Sequence, residues 1–292
     1  MLIVDAIKHQ GQHDEPRIIM KMQRARRYYV FLLLGTIAAI AALPPVAFAQ
    51  NESLAEAYRI IESKQFVDLT HSFSPLTPVW RGFGQAAFAA AADPSTGRPY
   101  SIDHDGFHAT YYAMVGQYGT HVDPPAHFDP HGKTMDELPL KQMILPLVVF
   151  DITPMLAKDP NHALTVDDIK AWEAVHGRVP AGSFAALRTD MYKDWTSNPA
   201  RFKRYPFPAW SLAAIEFLYE QRGIVANGHE SMDTDITPGL DSETWLLRHG
   251  HWQIEVMAGL DKVPATGALI VVSWAKPEHG LGFPARAFAI LP

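Results

Sequence analysis

Apolar positions in the second half of the chain recur with two different spacings, which predict alternating strands and helices. Short apolar, β-branched runs are typical of buried strands, and they occupy residues 145–152, 183–189, 224–227, 252–257, 269–273 and 285–291. Apolar stripes at helical spacing predict helices that start after Thr165, span 208–222 up to Gly223, and span 241–248. Thr165 followed by Asp168 is close to a capping box, which supports the first of these helices.

The pattern before residue 145 predicts more strand and loop than helix. Residues 52–63 have helical spacing, and residues 66–70 form a short strand candidate. Residues 72–105 are rich in Pro, Gly, Ala and Ser, which favours loop with edge strands. Residues 111–122 alternate in polarity and predict one further strand. Many strands and few helices indicate an α/β fold: a mixed β-sheet core with flanking helices in a single domain.

The first 49 residues have the pattern of a secretory signal. A basic stretch at 21–27 precedes an uncharged apolar run at 28–43, and residues 47–49 form a small-x-small cleavage pattern. We expect cleavage after Ala49, which leaves a domain of residues 50–292 in the periplasm or outside the cell, with no membrane association. A membrane anchor is the alternative, although the apolar run is short for a spanning helix. Met20 and Met22 are alternative start residues to Met1.

Composition narrows the chemistry that the domain can perform. The net charge is −6, and no long basic block exists, so nucleic acid is not an expected partner. Cysteine is absent, which excludes disulfides, thiolate ligands and a cysteine nucleophile. A metal site in this chain must therefore be built from imidazole, carboxylate, amide and water.

One segment combines such groups at strand spacing. In an extended strand, Gln117, His121 and Asp123 share one face, and Gly119 between them leaves space for a ligand. A double proline then ends the strand and turns the chain, which can return His127 to the same face. One imidazole, one carboxylate and one amide beside a second imidazole form a plausible open metal site. The alternative is a hydrogen-bonded His-Asp pair on the surface.

The same segment carries a family resemblance. Gly119-Thr-His-Val-Asp-Pro-Pro-Ala-His127-Phe128 resembles the signature H-x-G-T-H-x-D-x-P-x-H-F of the cyclase-like metal hydrolases, which include bacterial kynurenine formamidases and isatin hydrolases. Weaker similarity extends over nearly all of residues 50–292. The resemblance implies a swivelling β/β/α-like domain, metal ligands at His121, Asp123 and Glu255, and a catalytic role for His127.

Two positions depart from the family pattern. The first histidine of the signature is Gln117 here, and the histidine of a late helix, twelve residues before the carboxylate ligand, is Glu243. Members with both histidines hold two zinc ions, so their loss favours one ion. Oxygen ligands in place of imidazole favour manganese over zinc. We expect one divalent ion, Mn²⁺ first and Zn²⁺ second, with Gln117 and Glu243 as further ligands.

The resemblance also suggests a substrate class. Trp80 is either a core residue or an aromatic wall for a planar substrate. His229 and Glu230 lie where the family shapes its substrate pocket, and we expect Trp80, His229 and Ser231 to bind the substrate. The expected function is hydrolysis of a small aromatic cyclic amide or formamide by a homodimer or larger assembly. A kynurenine formamidase, a lyase or cyclase of the family, and a non-catalytic periplasmic metal-dependent binding protein remain alternatives.

Overall fold

The computed structural model of the chain describes residues 53–292, and a mixed β-sheet lies at its centre. The strands are β1 (Phe66–Asp68), β2 (Ala87–Ala90), β3 (Thr110–Ala113), β4 (His121–Asp123), β5 (Ile144–Asp151), β6 (Ala163–Leu164), β7 (Phe184–Arg188), β8 (Ala209–Trp210), β9 (Ala226–His229), β10 (Trp252–Glu255), β11 (Ala268–Trp274) and β12 (Phe283–Ile290). The helices are α1 (Leu54–Glu62), α2 (Ile102–Asp105), α3 (Thr153–Leu156), α4 (Val166–His176), α5 (Leu212–Glu216) and α6 (Asp241–Arg248). The signal predicted over residues 1–49 lies outside the described residues.

Eight strands form the main sheet in the order β1-β12-β11-β5-β7-β9-β10-β4. Strands β5, β7, β9 and β10 are parallel to one another, and the remaining neighbours are antiparallel. A further pairing of β12 with β4 closes the sheet from β12 to β4 into a ring. The predicted α/β fold with a mixed sheet core is confirmed.

The two faces of the sheet bury different sets of side chains, because successive strand residues point to opposite faces. One face belongs to a core cluster that includes Leu147, Phe184, Ala226 and Ile254. The other face packs against α4, α5 and α6 through a second cluster, which includes Val148, Ala185, Ile169, Ile215 and Leu246. The helix-covered face is also the one that carries the polar site.

Several element predictions are confirmed closely. Helix α6 has the predicted bounds, Asp241–Arg248. Helix α4 starts after Thr165, whose hydroxyl accepts the Asp168 N–H while the Asp168 carboxylate accepts the Thr165 N–H at 2.9 Å. Strands β5, β7, β10, β11 and β12 each lie within about two residues of the predicted bounds.

The single strand predicted over residues 111–122 is wrong. Its first part is β3, which pairs with β2 in a separate two-stranded sheet, and its last part is β4. Between them Gly119 has a φ of 65°, which ends extended backbone. The glycine is required by this backbone conformation, and a Cβ there would face Phe73 at 3.2 Å rather than a ligand space.

The helix predicted over residues 208–222 is partly wrong. Ala209–Trp210 is strand β8, paired with β6, and the helix starts only after Ser211, whose hydroxyl accepts the Ala214 N–H at 3.2 Å. Helix α5 then continues as a π-helical segment, Phe217–Arg222, and ends at Gly223 as predicted. Within residues 53–292, every helix is too short or too polar to cross a bilayer.

Candidate metal centre and active site

The pairing of β4 with β10 sets four polar side chains on one face of the sheet. His121 lies directly opposite Glu255, and Asp123 lies directly opposite Gln253. Residues opposite each other in an antiparallel pair project to the same side, as do residues two apart on one strand. All four side chains are buried and face the helical layer.

His121, Asp123 and Glu255 converge closely enough to share one ion. The His121 Nε2 atom lies 3.5 Å from Asp123 Oδ2 and 3.6 Å from Glu255 Oε2. The other ring nitrogen, Nδ1, lies 2.8 Å from the carbonyl oxygen of Gly119. A carbonyl only accepts, so Nδ1 carries the hydrogen and Nε2 directs a lone pair at the two carboxylates. Three buried lone pairs that face one another fit a divalent cation and repel without one.

The two carboxylate oxygens of Glu255 have different neighbours. Oε1 lies within hydrogen-bonding distance of Gln253 Nε2 at 3.0 Å and of Thr234 Oγ1 at 3.1 Å, and 3.3 Å from His229 Nε2. Oε2 faces His121. Burial, followed by the charges of Glu243 and Asp123, raises the pKa of Glu255 well above its usual range. A cation at Oε2 would offset that cost.

The backbone turns sharply after Glu255. Val256 has a φ of 56°, a conformation that β-branched residues rarely adopt. The Thr120 hydroxyl donates to the Val256 carbonyl at 2.6 Å and accepts the His71 N–H at 2.9 Å. Thr120, which precedes His121, therefore holds Val256, which follows Glu255, through this hydrogen bond.

Gln117 and Glu243, the two positions that depart from the family signature, both line the same cavity. The Gln117 Nε2 atom lies 3.3 Å from Asp123 Oδ1 and 2.7 Å from the Leu281 carbonyl, so the amide offers N–H groups rather than its oxygen to Asp123. Glu243 stands in the first turn of α6, outside the three-residue cluster. Their roles as ligands stay predictions.

Asp235 places Glu243 by holding the start of α6. Its Oδ1 accepts the Ser242 N–H at 2.8 Å and its Oδ2 accepts the Glu243 N–H at 3.0 Å. Burial, and then the charges of Asp123, Asp233 and Asp235, raise the pKa of Glu243 well above its usual range.

His127 lines the same cavity as the candidate ligands. It ends the short 3₁₀ helix Pro125–His127, which the second proline of the Pro124-Pro125 pair begins. Its N–H donates to the Pro124 carbonyl at 2.9 Å. The proline turn therefore returns an imidazole to the cavity wall without adding it to the metal cluster. Its catalytic role stays a prediction.

The cavity has a volume of about 320 Å³ and combines aromatic walls with a polar base. It is lined by Trp80, Phe83, Gln117, His121, Asp123, His127, Phe128, Met232, Asp233, Leu240, Glu243 and Glu255. Trp80 belongs to this wall, as one of the two sequence readings expected. A pocket of this size with few converging polar groups suits a small, flat molecule.

His229 and Ser231 do not line the cavity, so their positions give no support to direct substrate contact. Both are fully buried. His229 Nδ1 lies 3.1 Å from the Ser231 carbonyl, and burial lowers the pKa of His229 to about 3, so the ring is neutral. His229 Nε2 lies 3.3 Å from Glu255 Oε1, and the role of His229 and Ser231 in substrate binding stays a prediction.

Sequence reasoning missed two polar residues of the site. Asp233 stands on the cavity wall, accepts a hydrogen bond from the Tyr205 hydroxyl, and has its pKa raised to about 6, mainly by burial. Gln253 lies among the carboxylates at the base. Its spacing, two residues before Glu255 in an apolar strand, was the signal that could have found it.

Comparisons with known proteins agree with this site. The chain is 34% identical to an isatin hydrolase of Roseibium aggregatum over 207 residues, which cover 65% of the chain and 78% of that protein. It is 29% identical to a kynurenine formamidase of Paracidovorax citrulli over 154 residues, which cover 52% of the chain and 65% of that protein. A crystal structure of an isatin hydrolase bound to the product analogue thioisatinate superposes with a TM-score of 0.73 at 28% identity, over 84% of this chain and 99% of that one.

The fold, the site and the relatives define this protein as a metal-dependent hydrolase. Residues 67–236 match the model of the Cyclase family, described as putative cyclase. The chain belongs to that family. The match includes His121, Asp123 and His127 but ends before Glu243 and Glu255, so these two late acids join the site through the fold described above.

Proposed function

We propose that this protein hydrolyses the amide bond of a small aromatic cyclic amide, with isatin as the model substrate. The observation that carries the proposal is the convergence of His121 Nε2, Asp123 Oδ2 and Glu255 Oε2 at the base of an aromatic cavity that His127 also lines. The likeness to isatin hydrolases supports the choice of substrate.

The proposed cofactor is one divalent ion held by His121, Asp123 and Glu255, with Mn²⁺ preferred over Zn²⁺. Two carboxylates and one imidazole form an oxygen-rich set, which favours the harder ion. When bound, such an ion supplies Lewis acidity, which polarises a carbonyl oxygen and makes water more acidic.

His127 is proposed to move the proton. An imidazole can take a proton from the attacking water and return it to the leaving nitrogen near neutral pH. Trp80, Phe83 and Phe128 would hold the aromatic ring of the substrate and keep bulk water out of the cavity.

A direct assay tests the proposed reaction. Ring opening of isatin changes its ultraviolet absorbance, so the purified protein should remove the isatin signal with Mn²⁺ and lose that activity after chelation. N-formylkynurenine, measured beside it, separates the kynurenine formamidase alternative, which the second relative favours. Absence of metal-dependent turnover on both compounds would contradict the proposal.

Two substitutions separate proton transfer from metal binding. His127→Ala should lower kcat about 10²–10⁴-fold, the usual contribution of a positioned acid or base, while the protein keeps its metal. His121→Ala should lose the metal itself, because the imidazole is one of three converging ligands. Metal content and kcat are measured on both, with the exposed His131→Ala as control. Near-normal kcat in His127→Ala would remove that residue from the mechanism.

Location and assembly are proposed from the sequence and the exposed surface. The signal pattern of residues 1–49 supports export to the periplasm or beyond, which mass spectrometry of the exported protein would test by finding a chain that starts at Gln50.

The small β2–β3 sheet exposes Tyr111 and Tyr112, which supports a homodimer. Light scattering of the wild type and of Tyr111→Ser, Tyr112→Ser tests that assembly, and a monomeric wild type would contradict it.

A further inference from the structure

A neutral amide, that of Gln253, lies where three carboxyl groups that line the cavity come together. Gln253 Nε2 lies 3.0 Å from Glu255 Oε1, 3.3 Å from Asp123 Oδ2 and 3.4 Å from Glu243 Oε1. The side chain of Gln253 is completely buried, so water does not compete for these contacts. Two N–H bonds of Gln253 therefore face three carboxyl groups, so the amide has fewer donors than neighbouring acceptors.

The orientation of this amide follows from its other partners. Its oxygen lies 2.7 Å from the Thr234 hydroxyl and 3.5 Å from Asn227 Nδ2. The Tyr219 hydroxyl donates to Asn227 Oδ1 at 2.7 Å, which leaves the Asn227 NH₂ group for Gln253. The reverse orientation would set the Gln253 oxygen against three carboxylates, so the NH₂ group must face them.

Two of the same carboxylates also face the proposed metal position. Glu255 directs Oε2 to His121 and Oε1 to Gln253, and Asp123 Oδ2 lies near both the His121 and Gln253 nitrogens. Carboxylates shared in this way are the usual bridges between two neighbouring cations. These carboxylates therefore face the His121 imidazole on one side and accept from the Gln253 amide on the other.

We propose that the Gln253 amide occupies the place of a second metal ion and thereby limits this site to one. The amide supplies partial positive charge to Asp123, Glu243 and Glu255 at the point where a second cation would bind them. Gln253 is thus a positioning residue that sets the number of ions. This inference rests on the proposed metal-dependent function.

Metal stoichiometry tests the inference directly. Wild type, Gln253→Ala and Gln253→Glu are dialysed to equilibrium against Mn²⁺, and bound metal per chain is measured by mass spectrometry. Gln253→Ala removes the amide and opens the position, while the nearly isosteric Gln253→Glu keeps the packing and adds a fourth carboxylate. The expected result is one ion in the wild type and two in each variant, a doubling that loss of packing alone would not produce.

The control and the contrary outcomes keep this inference separate from the proposed function. Gln142→Ala removes an amide that accepts from Trp252 Nε1 at 2.8 Å and contacts no carboxylate of the site, so it should keep one ion. A wild type that binds no ion would contradict the proposed function. A wild type with one ion and both variants with one or none would overturn the role of Gln253 alone. Two ions in the wild type, or variants that stay unfolded with Mn²⁺ present, would also overturn it, because the inference requires that a cation can replace the amide.

Discussion

Glu230 carries a buried carboxyl group outside the metal cluster, and both of its oxygens accept backbone N–H groups. Thr189 N–H donates to Oε2 at 2.8 Å, and Leu260 N–H lies 3.4 Å from Oε1. Burial, partly opposed by the Thr189 N–H, raises the pKa of Glu230 to about 7, and the charge of Asp190 adds to the rise. The protonated form is therefore favoured in the folded protein well above the pKa of an exposed glutamate, near 4.5.

We predict that Glu230 makes folding less favourable as pH rises. The stability associated with its raised pKa is fully present below about pH 4.5 and is lost as pH rises through about 7, a change on the order of 3 kcal/mol. Glu230→Gln cannot ionise, so the wild type should lose stability relative to this variant across that window. Urea unfolding of both proteins with chelator, from pH 4.5 to 8, measures the difference. Parallel stability curves would show that Glu230 does not titrate with folding.

At the scale of elements, helix α6 depends on a cap from outside its own sequence. Its N-cap residue, Leu240, has a φ of 56° and offers no side-chain hydrogen bond. Asp235 takes that role by accepting the N–H groups of Ser242 and Glu243. The negative charge also lies at the positive end of the helix dipole. Asp235, in the loop before α6, therefore fixes the position of Glu243 relative to the sheet.

Asp235→Ala should remove this cap and lower stability by about 0.5–2 kcal/mol, as loss of a helix N-cap usually does. The variant should also show weaker metal binding if Glu243 is a ligand, since its helix turn would lose its anchor. Thermal unfolding and Mn²⁺ titration measure the two effects. Asp241→Ala is the matched control, because Asp241 is exposed in the same turn and carries the same charge. Equal losses in both variants would assign the effect to helix charge instead of the cap.

Elements with local patterns were predictable from the sequence, whereas elements set by distant partners were not. Helix α6 and strand β5 follow from their own apolar spacing. The helix predicted at Ala209–Trp210 is a strand, because its pairing depends on residues 163–164, far away in the chain. His121 and Asp123 were found by strand alternation, although their strand is only three residues long. Gln253 was missed because its importance arises from carboxylates more than a hundred residues apart.

At the scale of the whole molecule, the candidate metal centre joins segments that are distant along the chain. His121 and Asp123 lie on β4, which closes the ring of strands by pairing with β12, and Glu255 lies opposite His121 on β10. Without a cation, the two carboxylates and the imidazole lone pair repel one another in a buried place. With a cation, the same groups hold two strands together. The metal-free protein is therefore expected to be less stable than the metal-bound protein, because its ligands are already held close together.

The effect of Glu255→Gln on thermal stability should change sign when metal is added. Without metal, the uncharged side chain removes one buried carboxylate from the cluster, so the variant should unfold at a higher temperature than the metal-free wild type. With Mn²⁺ at about a hundred times its Kd, binding should stabilise the wild type by about 2.7 kcal/mol. The variant, with a weaker ligand in place of Oε2, should gain much less and become the less stable protein. Thermal unfolding of both proteins with chelator and with Mn²⁺ gives the four values needed. A variant that is less stable under both conditions would mean that the carboxylate serves the packing of β10 and not a cation. A metal-binding carboxylate should lower stability without the cation and raise it when the cation is bound.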